Sequence, residues 1–266
     1  MAISLFKPKE ALDPGEALLL ASATPLTIPE MLADSRARFA DSVAYQQKVS
    51  GRWEQLTFDE TWRQASEFAA GLIAMGLRPG DRVALICENC LPWVVGYFGL
   101  SMAGGVGVPL YVELKRSEIE EMVRRSGARF LIASPRIVER LGEQLGGAEK
   151  VIVVGATEGR PGQPPRFLRR GRPDMLPFDE VAAAATDESR VALEERRVQP
   201  DDLASIVFTS GTTGGMKGVM LTHKNFMSNI ESIRRAVHLD EKDRIVLVLP
   251  VHHAFPFIIL VAAFAF

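Results

Sequence analysis

Short apolar runs alternate with longer segments that repeat apolar residues every three or four positions along most of this 266-residue chain. The short runs are typical of buried strands, and the longer periodic segments are typical of amphipathic helices. We predict strands near 43–48, 82–87, 106–110, 129–133, 150–154, 203–208 and 245–249, and helices at about 28–40, 58–76, 90–104, 116–127, 135–145, 178–185 and 222–237. This alternation predicts an open, largely parallel α/β sheet.

The composition is that of an ordinary folded protein without a charge bias. Hydrophobic residues make up 47% of the chain, and 31 Lys and Arg face 33 Asp and Glu. A protein that binds DNA or RNA usually carries a basic surplus, so we expect no nucleic-acid partner. The first residues lack a charged segment followed by a long apolar stretch, so we expect no secretory signal and a cytoplasmic location.

One loop between a predicted strand and a predicted helix concentrates groups that bind phosphate. The run from Phe208 to Gly218 reads F-T-S-G-T-T-G-G-M-K-G. Glycines let backbone N–H groups turn toward an anion, hydroxyl side chains add donors, and Lys217 adds a positive charge. The apolar stretch 203–208 before the loop fits a buried strand, and Thr222 after it is a candidate N-cap for the next helix. The run therefore predicts a phosphate-binding loop.

Two known phosphate loops can be compared with this run. The P-loop motif G-x-x-x-x-G-K-[ST], started at Gly211, would need glycine at Met216 and a hydroxyl residue at Gly218, so it fails at two positions. The run closely resembles the T-S-G-[ST]-T-G-x-P-K-G signature of the AMP-forming adenylating enzymes, which include acyl-CoA synthetases, peptide-synthetase adenylation domains and luciferases. It matches nine of the ten positions. The departure is Met216 in place of proline, which leaves the loop with more backbone freedom.

Other segments resemble the same family, and they occur in the family's order. The stretch 77–85 is similar to the G-x-x-x-G-D-x-V entry into a strand, and 89–93 is similar to the helix start that follows. Residues 98–105 and 108–110 resemble the next helix and strand. The stretch 249–255 resembles the L-P-x-x-H segment that borders the acyl pocket in the family.

The resemblance implies a two-step reaction. A carboxylate attacks the α-phosphate of ATP to give an acyl-adenylate and pyrophosphate, and a thiol, usually that of CoA, then takes the acyl group. Lys217 is implied to be the catalytic residue that eases pyrophosphate departure, with Mg²⁺ bridging the phosphates and Thr209 as the hydroxyl nearest the metal. The residues implied to hold the β- and γ-phosphates are Thr209, Ser210, Gly211, Thr212, Thr213, Gly214, Gly215 and Lys217.

The resemblance also implies where the acid binds. It aligns His253 with the family's pocket histidine, and it favours a fatty acid as the substrate. Candidates for an apolar acyl channel are Val251, Phe255 and Phe257. The alternative is that the paired histidines are only a polar cluster at a strand end. A metal site from His252 and His253 is disfavoured, because neighbouring strand residues face opposite ways.

Three further residues have side chains capable of metal or redox chemistry. Cys87 and Cys90 have the C-x-x-C spacing of a redox pair or of half a zinc site. The sequence has no second cysteine pair and no histidine close by, so buried, inert thiols in a reducing compartment are the simpler interpretation. We expect His223 to lie on or near a helix surface.

The chain is expected to form part of one domain. The resemblance implies a first α/β portion over about 27–155 and a phosphate loop with the start of the acyl-pocket region over 200–266. Between them, 156–176 is rich in glycine and proline and is predicted to be a flexible loop. The family continues with adenine and ribose motifs and a small mobile domain. We therefore expect residues 1–266 to be an N-terminal fragment of a layered α/β large domain, inactive alone.

The stretch 254–266 is apolar throughout. A helix that spans a bilayer needs about 20 residues, so we predict a core helix and no transmembrane segment. Without covering elements this helix would leave an exposed apolar strip, from which we predict self-association or a homodimer.

Two alternatives to a fatty-acid–CoA ligase stay open at this point. One is an adenylating enzyme whose acceptor is the thiol of a carrier protein. The other is a non-catalytic nucleotide-binding module, which Met216 and the lack of the downstream motifs favour.

Overall fold

A computed structural model describes residues 7–8, 25–155, 174–210, 216–238 and 243–265. The strands are β1 (Lys7–Pro8), β2 (Val43–Val49), β3 (Arg52–Thr57), β4 (Arg82–Ile86), β5 (Val106–Pro109), β6 (Ala128–Ala133), β7 (Lys150–Val153), β8 (Met175–Pro177), β9 (Leu203–Ser210), β10 (Met216–Thr222) and β11 (Val237–His238). The α-helices are α1 (Ile28–Phe39), α2 (Phe58–Ala74), α3 (Leu91–Met102), α4 (Arg116–Ser126), α5 (Pro135–Leu141), α6 (Phe178–Val181), α7 (Asp187–Glu194), α8 (His223–Ala236) and α9 (Ala254–Ala262). Within the described ranges, 3₁₀ helices lie at Gly142–Gly147 and Ala182–Ala184.

Seven of these strands form one sheet in the order β10-β9-β5-β4-β6-β7-β8. All neighbouring pairs are parallel except β9 and β10, which are antiparallel. This arrangement confirms the predicted open, largely parallel α/β sheet. The strands β2 and β3 form a separate hairpin, and β1 pairs with β11.

The core lies on both faces of the sheet, because alternate residues of a strand point to opposite sides. In β4, Val83 and Leu85 join the larger apolar cluster, while Ala84 and Ile86 join the smaller one. Buried residues of α1, α2, α3, α8 and α9 complete the larger cluster, and those of α4 and α5 complete the smaller one. The result is a three-layer fold with the sheet in the middle.

Several helices begin at a residue whose side chain accepts a hydrogen bond from one of the first backbone N–H groups of the helix. Thr222 caps α8 as predicted, because its hydroxyl accepts a hydrogen bond from the Asn225 N–H at 3.3 Å. The Asn225 side chain accepts in return from the Thr222 N–H at 2.9 Å. Thr27 and Thr57 form similar reciprocal caps at α1 and α2.

Two sequence predictions about secondary structure are wrong. Residues 245–249 form no strand, and Val246 and Val248 are about four-fifths exposed. A β-branched run becomes a strand only when a neighbour supplies the hydrogen bonds, and no described strand pairs with this one. Within the predicted loop, Met175–Pro177 form β8 at the sheet edge, while residues 156–173 lie outside the described part.

The apolar run at the end of the chain is packed against the domain. Helix α9 covers Ala254–Ala262, and beyond it the ring of Phe264 lies 4.6 Å from that of Phe58 and 5.4 Å from that of Phe98. Tyr45 donates a hydrogen bond to the Leu260 carbonyl at 2.7 Å. The predicted core helix is therefore present, but the exposed strip expected to drive self-association is buried.

Across the described ranges, no helix is both long enough and apolar enough to cross a bilayer.

Candidate active site

The antiparallel β9–β10 hairpin presents the first and last candidate phosphate-binding residues. Thr209 and Lys217 are direct cross-strand partners, and both are exposed. Side chains of opposed residues in an antiparallel pair lie on the same face, so these two side chains start from neighbouring points of the hairpin. The backbone of Ser210 belongs to the end of β9. The candidates between the strands lie outside the described residues: Gly211, Thr212, Thr213, Gly214 and Gly215.

Packing on the opposite face holds this hairpin in place. Met216, at the position where the family signature has proline, is partly buried and packs on the smaller apolar cluster together with Ile206 and Phe208. Gly218 is the cross-strand partner of Phe208, and a Cβ there would lie 3.0 Å from the Ile206 side chain. Because adjacent strand residues face opposite sides, Lys217 lies on the other face of the hairpin from Met216, where it is exposed.

The charge around the hairpin suits an anion. Among the described residues, Lys217 has no ion-pair partner, so its charge is available to a ligand. The described residues also contain no group of three or more His, Cys, Asp or Glu that could hold a metal ion. Thr209 offers one hydroxyl oxygen, so a magnesium ion here would take its other oxygen ligands from phosphate groups and water.

A cleft of about 340 Å³ lies at the same end of the sheet as the hairpin connection, beyond the carboxyl ends of β4 and β5. It is lined by Cys87, Glu88, Asn89, Trp93, Leu110, Val112, Leu247, Val248, Pro250, Val251 and His252. The strand β9 is the neighbour of β5, and β4 is one strand further. With a strand spacing of about 4.8 Å, the two strands that end at the cleft lie about 5 and about 10 Å from β9 across the sheet. In parallel α/β sheets, ligands bind beyond the carboxyl ends of the strands.

Asn89 holds the segment that forms one wall of this cleft. Its side-chain amide donates to the Leu249 carbonyl at 2.9 Å and to the Leu247 carbonyl at 3.5 Å. Its side-chain oxygen accepts from the Val251 N–H at 3.1 Å. One side chain thus fixes three points of the stretch 247–251, which pairs with no strand in the part of the chain that the structure describes. We call this set of hydrogen bonds the Asn89 clamp.

The paired histidines follow the Asn89 clamp. The ring of His252 stacks on Tyr111 at 4.5 Å and lies 3.9 Å from the ring of His253. The expectation that the two histidines face opposite ways is wrong, because residues 251–253 form a turn and not a strand. Partial burial and the neighbouring His253 lower the pKa of His252 to about 4. His252 is therefore neutral near pH 7.

The four residues predicted to line the acyl pocket lie in different surroundings. Val251 is buried in the cleft wall, and His253 is exposed at its end. Phe257 is 1% exposed and packs edge-on against Trp93, a residue of the cleft lining. Phe255 is 66% exposed and points to solvent. Val251 thus lines the cleft itself, and Phe257 lies behind the residues that line the cleft.

Two residues at this end of the sheet, Asn89 and Tyr111, were not predicted from the sequence, and His223, at the opposite end, lies elsewhere than predicted. Asn89 and Tyr111 contact the 247–253 segment over long sequence separations, and no local pattern marks them. His223 is 1% exposed, so its predicted place on a helix surface is wrong. Its Nδ1 accepts from the Ile28 N–H at 3.3 Å, which joins α8 to α1. Burial lowers the pKa of His223 to about 4, against the opposing effects of Asp202 and Glu30.

Comparison with known proteins agrees with this arrangement. The family model described as AMP-binding enzyme matches residues 32–266. The chain is 32% identical over 222 residues to a long-chain-fatty-acid–CoA ligase of Bacillus subtilis, covering 77% of this chain and 38% of that protein. It is 30% identical over 254 residues to a long-chain-fatty-acid–CoA ligase of Escherichia coli O6:H1, covering 86% of this chain and 43% of that protein.

A solved structure gives the same fold. The crystal structure of a long-chain-fatty-acid–CoA ligase from Archaeoglobus fulgidus superposes with a TM-score of 0.74 at 23% identity, covering 97% of this chain and 48% of that one. This likeness shows a shared fold, and the family model gives the class of protein, that of the AMP-binding enzymes. The chain belongs to the AMP-binding enzyme family, and it spans about two fifths of the length of the two ligase relatives named above.

Proposed function

We propose that this chain supplies the phosphate-binding hairpin and part of the acid-binding cleft of an acyl-CoA ligase. The complete enzyme activates a carboxylic acid, a fatty acid, with ATP to give acyl-AMP and pyrophosphate. It then transfers the acyl group to the thiol of CoA. The family and its ligase relatives support this reaction class.

The observation that carries the proposal is the pairing of Thr209 with Lys217 across the hairpin. An exposed lysine beside a hydroxyl, at the base of a glycine-rich connection, is suited to the outer phosphates of ATP. As acyl-AMP forms, negative charge builds up on the departing pyrophosphate. Lys217 stabilises that charge because it is already in position when the charge develops.

The remaining candidates extend this arrangement. Ser210, Thr212 and Thr213 add hydroxyl donors, and the amides of Gly211, Gly214 and Gly215 add backbone donors. Mg²⁺, when bound, neutralises charge on the phosphate oxygens, and Thr209 is the hydroxyl we assign to it. This chain's own part is to orient the triphosphate so that its α-phosphate faces the acid.

The cleft beside the hairpin suits the acid. Its walls include the apolar residues Trp93, Leu110, Leu247, Val248 and Val251, which match a hydrocarbon chain. His252 lines the cleft, and its ring is neutral near pH 7. An apolar acyl chain can therefore pack beside it without burying a charge. We propose that Val251 and His253 contribute to the acid-binding end and that Phe257 supports its lining from behind, whereas the predicted contributor Phe255 points to solvent.

The test is direct synthesis by the full product of the gene. The protein is mixed with ATP, Mg²⁺, palmitate and CoA, and AMP and palmitoyl-CoA are measured by liquid chromatography. We expect both products in equal amounts. AMP release that requires a carrier protein in place of CoA would identify a carrier-protein ligase. ATP binding without AMP release under either condition would identify a non-catalytic module and defeat the proposal.

A further inference from the structure

One wall of the cleft is a stretch of chain that no strand supports. Five residues of the stretch 247–252 line the cleft, and we call this stretch the wall segment. Among the described residues it pairs with no strand. Backbone N–H and C=O groups that leave water need partners, so a segment of this kind depends on side chains for its order.

The Asn89 clamp takes the place of a strand partner. Asn89 follows β4, and its amide has both donors and an acceptor, as a peptide group has. The carbonyls of Leu247 and Leu249 face the side-chain nitrogen, and the Val251 N–H faces the side-chain oxygen. Hydrogen bonds depend on direction, so the clamp fixes how the wall segment faces the cleft.

A ring stack holds the far end of the wall segment. Tyr111 follows β5, and its ring stacks on that of His252 with the centroids 4.5 Å apart. Stacked rings add a geometric preference to the burial of their surfaces. The two attachment points start from the neighbouring parallel strands β4 and β5, so the wall segment is tied to the part of the sheet that ends at the cleft.

The turn that carries Asn89 is itself held by the β2–β3 hairpin. Gln47 of β2 accepts a hydrogen bond from the Leu91 N–H at 3.1 Å, at the first residue of α3. An N–H in the first turn has no acceptor within its helix, so this side chain satisfies it. The start of α3, which also supplies Trp93 to the cleft, therefore keeps Asn89 in a fixed place beside the wall segment.

We propose that Asn89 and Tyr111 are positioning residues for the acid, because they hold the wall segment where it can pack against the hydrocarbon chain. The inference rests on the proposed function for the nature of the ligand. Both residues act through the wall segment, whose apolar side chains, such as those of Val248 and Val251, supply the packing.

The effect of losing the clamp should be specific to the acid. A wall segment that is in place in only a fraction of the molecules lowers the apparent affinity for the acid by that fraction. The β9–β10 hairpin has separate supports: its apolar residues pack on the smaller apolar cluster, whereas Leu247 and Val251 pack on the larger one. The affinity for ATP should therefore stay unchanged.

The experiment measures binding to the full gene product. Equilibrium dialysis gives the Kd of radiolabelled palmitate, and titration calorimetry gives the Kd of ATP. Asn89 is exposed, so Asn89→Ala removes the clamp without opening the core. We expect this variant to raise the Kd of palmitate by about fivefold to thirtyfold, in line with the modest net strength of a few hydrogen bonds, and to keep the Kd of ATP within about twofold.

Hydrogen exchange and matched variants show which contact is lost. The Val251 N–H donates to Asn89, so its exchange should speed up by a similar factor in Asn89→Ala. Asn229→Ala, which replaces an exposed asparagine on α8, is the control and should change neither exchange nor affinity. Tyr111→Phe keeps the stacked ring and should raise the Kd of palmitate much less than Tyr111→Leu.

The outcomes separate this inference from the proposed function. Fast Val251 exchange with an unchanged Kd of palmitate overturns the inference, and so does an equal rise in the Kd of palmitate and of ATP. Unchanged Val251 exchange in Asn89→Ala, equal palmitate affinities of the two Tyr111 variants, or a natural protein that binds no palmitate overturns it too. Palmitoyl-CoA is measured separately: a natural protein that binds palmitate and forms none defeats the proposed function, and the Kd values then still decide the role of Asn89.

Discussion

Thr209 and Lys217 are cross-strand partners in the antiparallel pair of β9 and the edge strand β10, which borders an otherwise parallel sheet. The pairing places on one face of the hairpin a hydroxyl side chain and an ammonium side chain that the sequence separates by seven residues. Both groups lie on the opposite face of the hairpin from Met216. The hairpin therefore presents cation and hydroxyl together before any ligand arrives.

The free energy of unfolding should fall as the pH drops below the pKa that His223 has in the unfolded chain. Its pKa is about 4 in the folded chain and about 6.5 in the unfolded chain, because burial disfavours the charged ring. The neutral form stabilises the fold fully above about pH 6.5, and that contribution is lost as the pH falls toward 4. From pH 7 to pH 5 the free energy of unfolding in urea should drop by about 2 kcal/mol through this residue.

The matched variant for this prediction is His223→Asn, whose side-chain oxygen can still accept from the Ile28 N–H. It should be less stable at pH 7 because it packs less well, but its stability should depend much less on pH. The pKa of His252 is lowered too, so the variant His252→Asn measures how much of the pH dependence of stability comes from that residue. We expect its contribution to be smaller, because the ring is half-exposed. Equal pH slopes for the natural chain and His223→Asn would show that the buried neutral ring is not the cause.

The buried pair Tyr97 and Ser205 should show strong energetic coupling. Their hydroxyls are 3.0 Å apart where α3 packs on β9, and burial keeps Tyr97 neutral by raising its pKa. Tyr97→Phe leaves the Ser205 hydroxyl buried without this partner, so we expect a loss of about 1–3 kcal/mol. The double variant Tyr97→Phe/Ser205→Ala should recover part of that loss. Strictly additive effects in urea unfolding would rule out a coupled pair.

The strands and helices with strong patterns were predictable from the sequence. The parallel core strands β4 to β7 are short apolar runs, and α2 and α8 have clear apolar stripes, so periodicity alone identifies them. The signature at 209–218 was recognisable from the sequence, because its residue types are rare in combination, and its phosphate-binding role stays a prediction. These features depend on neighbours in the sequence.

The features that were missed depend on partners far away in the chain. The edge strand β10 is exposed along most of its length, so it shows no alternation of buried and polar residues. The β-branched residues near Val246 and Val248 predicted a strand that has no described partner. The Asn89 clamp joins residues about 160 positions apart, and a single sequence gives no sign of such contacts.

The end of the chain should stabilise the domain and should not drive association. Phe264 is fully buried among Tyr45, Phe58 and Phe98, so Phe264→Ala should lower the free energy of unfolding by about 3–5 kcal/mol. Phe255→Ala changes an exposed residue and should shift the free energy of unfolding by less than about 0.5 kcal/mol.

Light scattering should give the same mass for the natural chain and Phe255→Ser. A smaller mass for Phe255→Ser would restore the idea of association through this end.

The role of Lys217 is the central claim, and substitution of this exposed residue should leave the fold intact. Lys217→Ala removes the charge that stabilises departing pyrophosphate, so adenylation should slow by about a hundredfold or more. Lys224→Ala, which removes an exposed lysine from the first turn of α8, is the matched control and should retain the natural rate.

The most direct measurement is the exchange of radiolabelled pyrophosphate into ATP by the full gene product, with and without palmitate. We expect exchange that requires palmitate, that falls about a hundredfold in Lys217→Ala and that is unchanged in Lys224→Ala. Palmitate-dependent exchange at the natural rate in a folded Lys217→Ala protein would contradict the assignment of the hairpin to the phosphates of ATP.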